Sequence, residues 1–241
     1  VLVDGAVALA GVPYQAGAGY LSLPAGKRRL EIAPTGTTTA VIDVEPDLRA
    51  GRKYTAIALG RVAAIEPLLL EDDPAPIDAR DVRVRVVHAA PAVGLVDVYV
   101  TAPGADLTGA TPTLDDVPFK AASGQLTIPA GDYQIRITPG AGGAAVYDSG
   151  TVTLPGGADL CVAAAETSQG ASPVTLLALT GDPAAPVLDL TDRRALVRVV
   201  HASPDAPNVD VLVDNAVALT NVPFRAASGY LEVNGGERRT R

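Results

Sequence analysis

The stretch LVRVVHASPDAPNVDVLVDNAVALTNVPFRAASGYLEV, residues 196–233, decides how the chain is read, because its text recurs. Residues 82–100 read VRVRVVHAAPAVGLVDVYV, and residues 117–128 read VPFKAASGQLTI. The chain also opens inside the same text, VLVDGAVALAGVPYQAGAGYLSLPAGKRR, residues 1–29. His88 maps to His201 at an offset of 113, and Gly124 maps to Gly229 at 105. The mismatch is an insertion in the second copy, around Gly104 to Pro112. A repeat of about 100 residues is a domain-sized unit, not a solenoid turn. The expected organisation is a first repeat at 1–76 lacking its first strand, a complete repeat at 82–180 and the N-terminal half of a third at 196–241. Linkers occupy 71–81 and 181–195.

Alternation with period two marks half-buried strands. Val82, Val84, Val86 and His88 share one face of the first strand of the second repeat, with Arg83 and Arg85 on the other. Val96, Val98 and Val100 define a second strand, and residues 125–128, 132–138, 145–147, 151–154, 160–165 and 174–179 complete about eight. No stretch carries an apolar stripe at helical spacing. Short strands separated by turn signals predict an all-β protein of tandem immunoglobulin-like β-sandwich domains, closed barrels being the alternative. Gly and Pro together reach about 18% of the chain against a usual roughly 12%, which suits many tight turns. Proline fixes φ and cannot donate a ladder hydrogen bond, so both acidic, proline-bearing linkers are expected to be extended and stiff, like the string between beads.

A formal charge of −8 argues against a nucleic-acid partner. The basic runs Lys27-Arg28-Arg29, Arg193-Arg194 and Arg238-Arg239 read as solvated strand ends. The single cysteine, Cys161, rules out an intrachain disulfide and reads as a small buried hydrophobe. No run approaches the roughly 18 apolar residues of a membrane span. The chain starts in mid-repeat without Met, so its start carries no information on compartment.

His88 and His201, the only histidines, occupy one repeat position, each at the inward end of a strand before a Pro-containing turn. The expectation is that each imidazole packs under its turn and bonds a backbone carbonyl. Beside His201 stand Ser203 and Asp205, a composition that invites a hydrolase triad. The second repeat has Ala90 and Ala92 there, and Ser-Pro-Asp is an ordinary turn former. Carboxylates at Glu71-Asp72-Asp73, Asp115-Asp116, and Asp205 with Asp210 lack calcium-ligand spacing and read as a solvated acidic surface. The glycines of 104–109 and 140–143 are not followed by helices, which excludes phosphate cradles.

The block Val-Arg-Val-Val-His-Ala-Ser-Pro-Asp-Ala-Pro-Asn-Val-Asp-Val (197–211), then Val222-Pro-Phe and Ala227-Ser-Gly-Tyr-Leu, resembles the secreted bacterial and archaeal family called domain of unknown function 4397. The resemblance covers all three units and implies an exported sandwich domain, often in tandem, with no assigned activity. The second unit departs from the pattern at Ala90, Ala92 and Gln125. The positions the repeats share, expected to be structural, are His88 and His201; Pro91 and Pro204; Asp97 and Asp210; Pro13, Pro118 and Pro223; Gly19, Gly124 and Gly229.

The resulting expectation is a non-enzymatic extracellular or cell-surface structural protein, assembling as a filament or envelope layer. It predicts no catalytic, cofactor or metal residues, no calcium, and partners among copies of itself or other envelope proteins. The alternative is a polysaccharide- or protein-binding adhesion module, against which a 4% aromatic content argues, since sugars stack on aromatic faces. An exported hydrolase ranks third. For the filament, residues 196–210 of one chain would supply the strand that the first repeat of another lacks.

Overall fold

The computed structural model describes residues 1–140, 142–167, 172–190, 192 and 194–234. The runs at Arg193 and Arg238-Arg239 therefore lie outside the described residues, wholly or in part. The fold is all-β, in tandem immunoglobulin-like β-sandwiches. Residues 1–191 form one compact unit and 192–241 a second.

The first repeat contains β1 (Leu2–Val3), β2 (Ala6–Val7), β3 (Gly26–Lys27), β4 (Leu30–Ile32), β5 (Ile42–Val44), β6 (Asp47–Leu48), β7 (Lys53–Leu59) and β8 (Glu66–Asp72). One sheet runs β2-β1-β4-β5, and β7 pairs antiparallel with β8. The β1–β2 hairpin turns on Asp4 and Gly5, both at positive φ, as a two-residue hairpin requires.

The second repeat contains β9 (Asp81–Ala89), β10 (Val96–Thr101), β11 (Leu114–Val117), β12 (Leu126–Pro129), β13 (Gly131–Pro139), β14 (Tyr147–Leu154), β15 (Asp159–Glu166), β16 (Val174–Leu179) and β17 (Val187–Leu190). Its sheets run β11-β10-β13-β14 and β12-β9-β15-β16-β17. Between them lie Val82, Val96, Ile137, Tyr147, Leu160 and Leu176, all buried. Among the described residues every core residue of this sandwich falls in 82–190, and β9 to β17 pair only with one another. Strand β9 pairs parallel with β15 from Arg83↔Asp159 to Ala89↔Ala165. Parallel pairs sit where a sheet is covered on both sides. Accordingly every residue from Leu160 to Ala165 is buried, whichever face it points to.

Two expectations need correction here. The expected strands at 145–147 and 151–154 are one strand that begins at Tyr147, because Asp148-Ser149-Gly150 continues the ladder instead of turning. Ser149 is fully buried, its Oγ accepting from Ile135 N and donating to the Gly150 carbonyl. A register shift opposite Gln134 to Arg136 and a positive φ at Gly150 absorb the irregularity. The first joint, in turn, is not a string between beads. Residues 71–73 are pinned to β9, and the first repeat packs on the outer face of the five-stranded sheet.

The unit at 192–241 contains β18 (Arg194–Val197), β19 (Val209–Val213), β20 (Ala216–Val222) and β21 (Leu231–Asn234). Strand β18 pairs with β21 and β19 with β20, the latter hairpin turning on Asp214 and Asn215 at positive φ. No helix among the described residues is long and apolar enough to cross a membrane.

Candidate functional site

The shared residues build the same local structure twice. At the end of β9, His88 N donates to Ala121 O at 3.0 Å and its carbonyl accepts from Lys120 N at 2.9 Å. The ring is buried, with Nε2 2.9 Å from Gly94 O and Nδ1 3.3 Å from Ala90 N. An N–H aimed at Nδ1 makes that nitrogen the acceptor, so the proton sits on Nε2 and is donated to the Gly94 carbonyl. Phe119 meets the ring edge-on at 6.2 Å.

In the third repeat His201 repeats this arrangement. Its Nε2 is 3.0 Å from Pro207 O, its Nδ1 3.4 Å from Ser203 N, and Phe224 stands edge-on at 6.2 Å. The turn beside each ring holds a long cationic residue in the left-handed region, Lys120 at φ 70 and Arg225 at φ 64, with Gln15 at φ 66 in the first repeat. The cation of Lys120 lies over Phe119, and that of Arg225 over Phe224. Such a contact offsets part of the steric cost of positive φ.

The remaining shared positions close the cassette. Pro118 O and Pro223 O accept from Ala121 N and Ala226 N, and Pro13 O accepts from Ala16 N. Pro91 and Pro204 lie in the turns that follow the histidines. Asp97 Oδ1 accepts from Asp116 N at 2.8 Å and Asp210 Oδ1 from Asn221 N at 2.7 Å, each fixing a residue of positive φ in the facing strand. Ser123 and Ser228 bridge the first strand to the carbonyls of Gly124 and Gly229.

The hydrolase constellation is not assembled. Ser203 Oγ donates to Asp205 Oδ1 at 2.9 Å, while His201 Nε2 is committed to Pro207 O. A nucleophile and base must share a hydrogen bond, and these two do not.

A second group of polar residues lies between the first two repeats. Asp72 is buried, contrary to the solvated surface expected of Glu71-Asp72-Asp73. Its Oδ2 accepts from Tyr20 Oη at 2.9 Å and Thr55 Oγ1 at 2.8 Å, and its Oδ1 is 3.2 Å from Arg85 Nη1. Arg83 pairs with Asp73 at 3.4 Å and with Asp159. Burial, followed by the Asp72 hydrogen bond and charge, holds the Tyr20 phenol well above its ordinary range. Burial first and the Asp72 charge second push the Cys161 thiol up to about 12, so it stays protonated and unreactive.

Glu166 at the end of β15 is the other anchor. Its carbonyl accepts from Tyr14 Oη at 2.7 Å and Gln15 Nε2 at 2.9 Å, and its carboxylate takes Ala92 N and Arg61. Among the described residues no group of three or more His, Cys, Asp or Glu side chains converges as a metal site.

A family model described as a domain of unknown function, DUF4397, matches residues 1–99, 100–189 and 195–241. The chain belongs to the DUF4397 family. No curated protein matches it. Within these DUF4397 repeats, the sequence singled out the histidine cassette but passed over Tyr14, Tyr20, Arg83, Arg85 and Glu166, which join one repeat to the next. One signal for them was present. The run Leu-Cys-Val-Ala-Ala-Ala (160–165) is apolar on both faces, with small side chains alternating on the outer one. A strand that does not alternate is covered twice.

Proposed function

We propose that this DUF4397 protein is a non-enzymatic structural component of an extracellular or cell-surface layer, built from repeats docked against one another. The observation that carries the reading is where the polar side chains are spent. Both histidines serve turn carbonyls, and the ion pairs Arg83–Asp73 and Arg85–Asp72 join the first repeat to the second. An interface with paired charges and matched glycines fixes the angle between neighbours, which suits a protein whose product is shape. Compartment is the direct test. Antibody labelling of intact cells and fractionation of the native host should place the protein in the envelope or medium. Recovery in the cytosol overturns the reading. Selective capture on a glycan array, lost when exposed loop residues are changed, would favour the adhesion module instead.

A further inference from the structure

We propose that the Gly229–Tyr230 edge of the third repeat is a docking surface for another DUF4397 repeat, of the kind formed by residues 81–190. The proposal rests on the reading of the chain as an array of docked repeats and names the partner of one exposed edge.

The first repeat displays the docking mode. Its Tyr20 N reaches Gly181 O at 3.4 Å, its Tyr20 ring lies flush on Gly181, and its Oη bonds Asp72. Beside it, the backbone of Pro183 comes within 2.6 Å of where a Cβ on Gly19 would stand. Real Cβ contacts do not come that close, so Gly19 is demanded by the neighbouring repeat and not by its own fold.

Residues 223–231, PFRAASGYL, repeat 13–21, PYQAGAGYL, keeping both the glycine and the tyrosine. The turn is matched, with φ 64 at Arg225 against 66 at Gln15 and Ala226 N donating to Pro223 O as Ala16 N donates to Pro13 O. Yet among the described residues a Cβ on Gly229 meets nothing within 4 Å, and its φ is outside the left-handed range. Among the described residues nothing in its own repeat explains the missing side chain; an arriving Pro183-like backbone does. Tyr230 is 62% exposed, its ring under Arg198. The two stretches differ at four positions, Phe224, Arg225, Ala227 and Ser228 standing for Tyr14, Gln15, Gly17 and Ala18. The Tyr14 hydroxyl bond to the Glu166 carbonyl is not carried over, and Ala227 adds a Cβ where Gly17 packs on the acceptor. A Cβ there meets chiefly the tip of Leu179, which can rotate aside. Gly124 also faces open space, but Gln125 stands where the tyrosine hook belongs.

The partner's chemistry follows from the grip. The tyrosine ring needs a residue without Cβ at the position of Gly181, followed two residues later by the proline of Gly-Asp-Pro. The second repeat meets this. The first has Asp72-Asp73-Pro74 in the same place, and so does not serve as acceptor. In the intact chain the acceptor face of the second repeat is filled by the first. The partner is therefore a repeat whose own slot is open.

A fragment of residues 73–191 has its complete core and all its strand partners, and leaves that slot empty. It should bind the full chain in sedimentation velocity or fluorescence anisotropy. Gly229→Leu should weaken binding by about tenfold or more, as loss of a central contact does. Its melting temperature should not change, since the site faces open space. If that variant loses stability, Tyr230→Ala reads the same contact. Gly181→Asp in the fragment should also abolish binding. Absence of binding, or binding equal in the parent and in both third-repeat variants, overturns the proposal. Loss through Gly19→Leu alone overturns it too, because the fragment would then be displacing the first repeat. None of these outcomes bears on compartment, which fractionation tests separately.

Discussion

Arg85 and Asp72 meet at 3.2 Å across the boundary of two repeats, with 13% and 5% of their side chains exposed. Removing one partner of a buried pair strands the other charge away from water, at a cost of about 3–5 kcal/mol. Asp72→Ala should therefore destabilise the 1–191 unit strongly, as read from denaturant midpoints. Adding Arg85→Ala should cost less than the sum of the two single changes, because the second removes the stranded charge. Strict additivity would show that the pair does not couple the repeats.

Alkali should loosen the same boundary. Tyr20 and Cys161 both have folded pKa values raised above their ordinary ones, 10.0 and 9.0. A raised folded value means the native state holds its proton longer. The stability it contributes is complete below the ordinary pKa and lost as pH climbs through the folded one. The melting temperature should stay level to about pH 9 and decline above it. Cys161→Ala should remove the earlier part of the decline and Tyr20→Phe the later part. A curve unchanged by both substitutions would refute the assignment.

The histidines should act on stability alone. His201→Ala leaves the Pro207 carbonyl and Ser203 N–H without their partner, for a loss of about 1–3 kcal/mol. His88→Ala should behave alike through Gly94 and Ala90. A variant that melts normally but loses a bound metal or a measurable activity contradicts this.

Calcium should have no effect. The Asp72 and Asp73 carboxylates face Arg85 and Arg83, and Asp210 is held by Asn221 N. Chelator should leave the melting temperature where it is. A rise of several degrees on adding calcium would reveal a site filled only in the native state.

What the sequence made legible was the alternating strands and the positions that recur from repeat to repeat. Val82 to His88 alternates, so its faces were readable, and the histidine, proline and glycine positions stood out by recurrence. Strand β11, Leu-Asp-Asp-Val, was missed because its two central carboxylates break the alternation. Strand β14 was split because Asp-Ser-Gly resembles a turn until Ser149 is seen to satisfy its own neighbours. Strand β17 falls in the residues read as a linker. The largest gap was Asp72. A carboxylate beside a proline looks solvated in one dimension, and only the arrival of Arg85 and Tyr20 from other parts of the chain makes it an interior group.

The parallel pairing of β9 with β15 has a bearing on how the chain avoids tangling as it is made. Residues 84–89, VRVVHA, recur unchanged at 197–202, so β15 has two eligible mates. On the ribosome they do not compete on equal terms. The correct one is finished before β15 emerges, whereas Val197 comes 32 positions after Ala165. That gap gives about 2–6 s at ordinary synthesis rates, ample for closure before the rival is made. Dilution from denaturant removes this head start, since both copies are then present at once. Refolded material should contain a misthreaded fraction that freshly translated protein lacks, visible as an extra band on native gels. Replacing Val197 and Val199 with Thr should suppress it. On this expectation the direction of synthesis is what sorts near-identical strands in adjacent repeats.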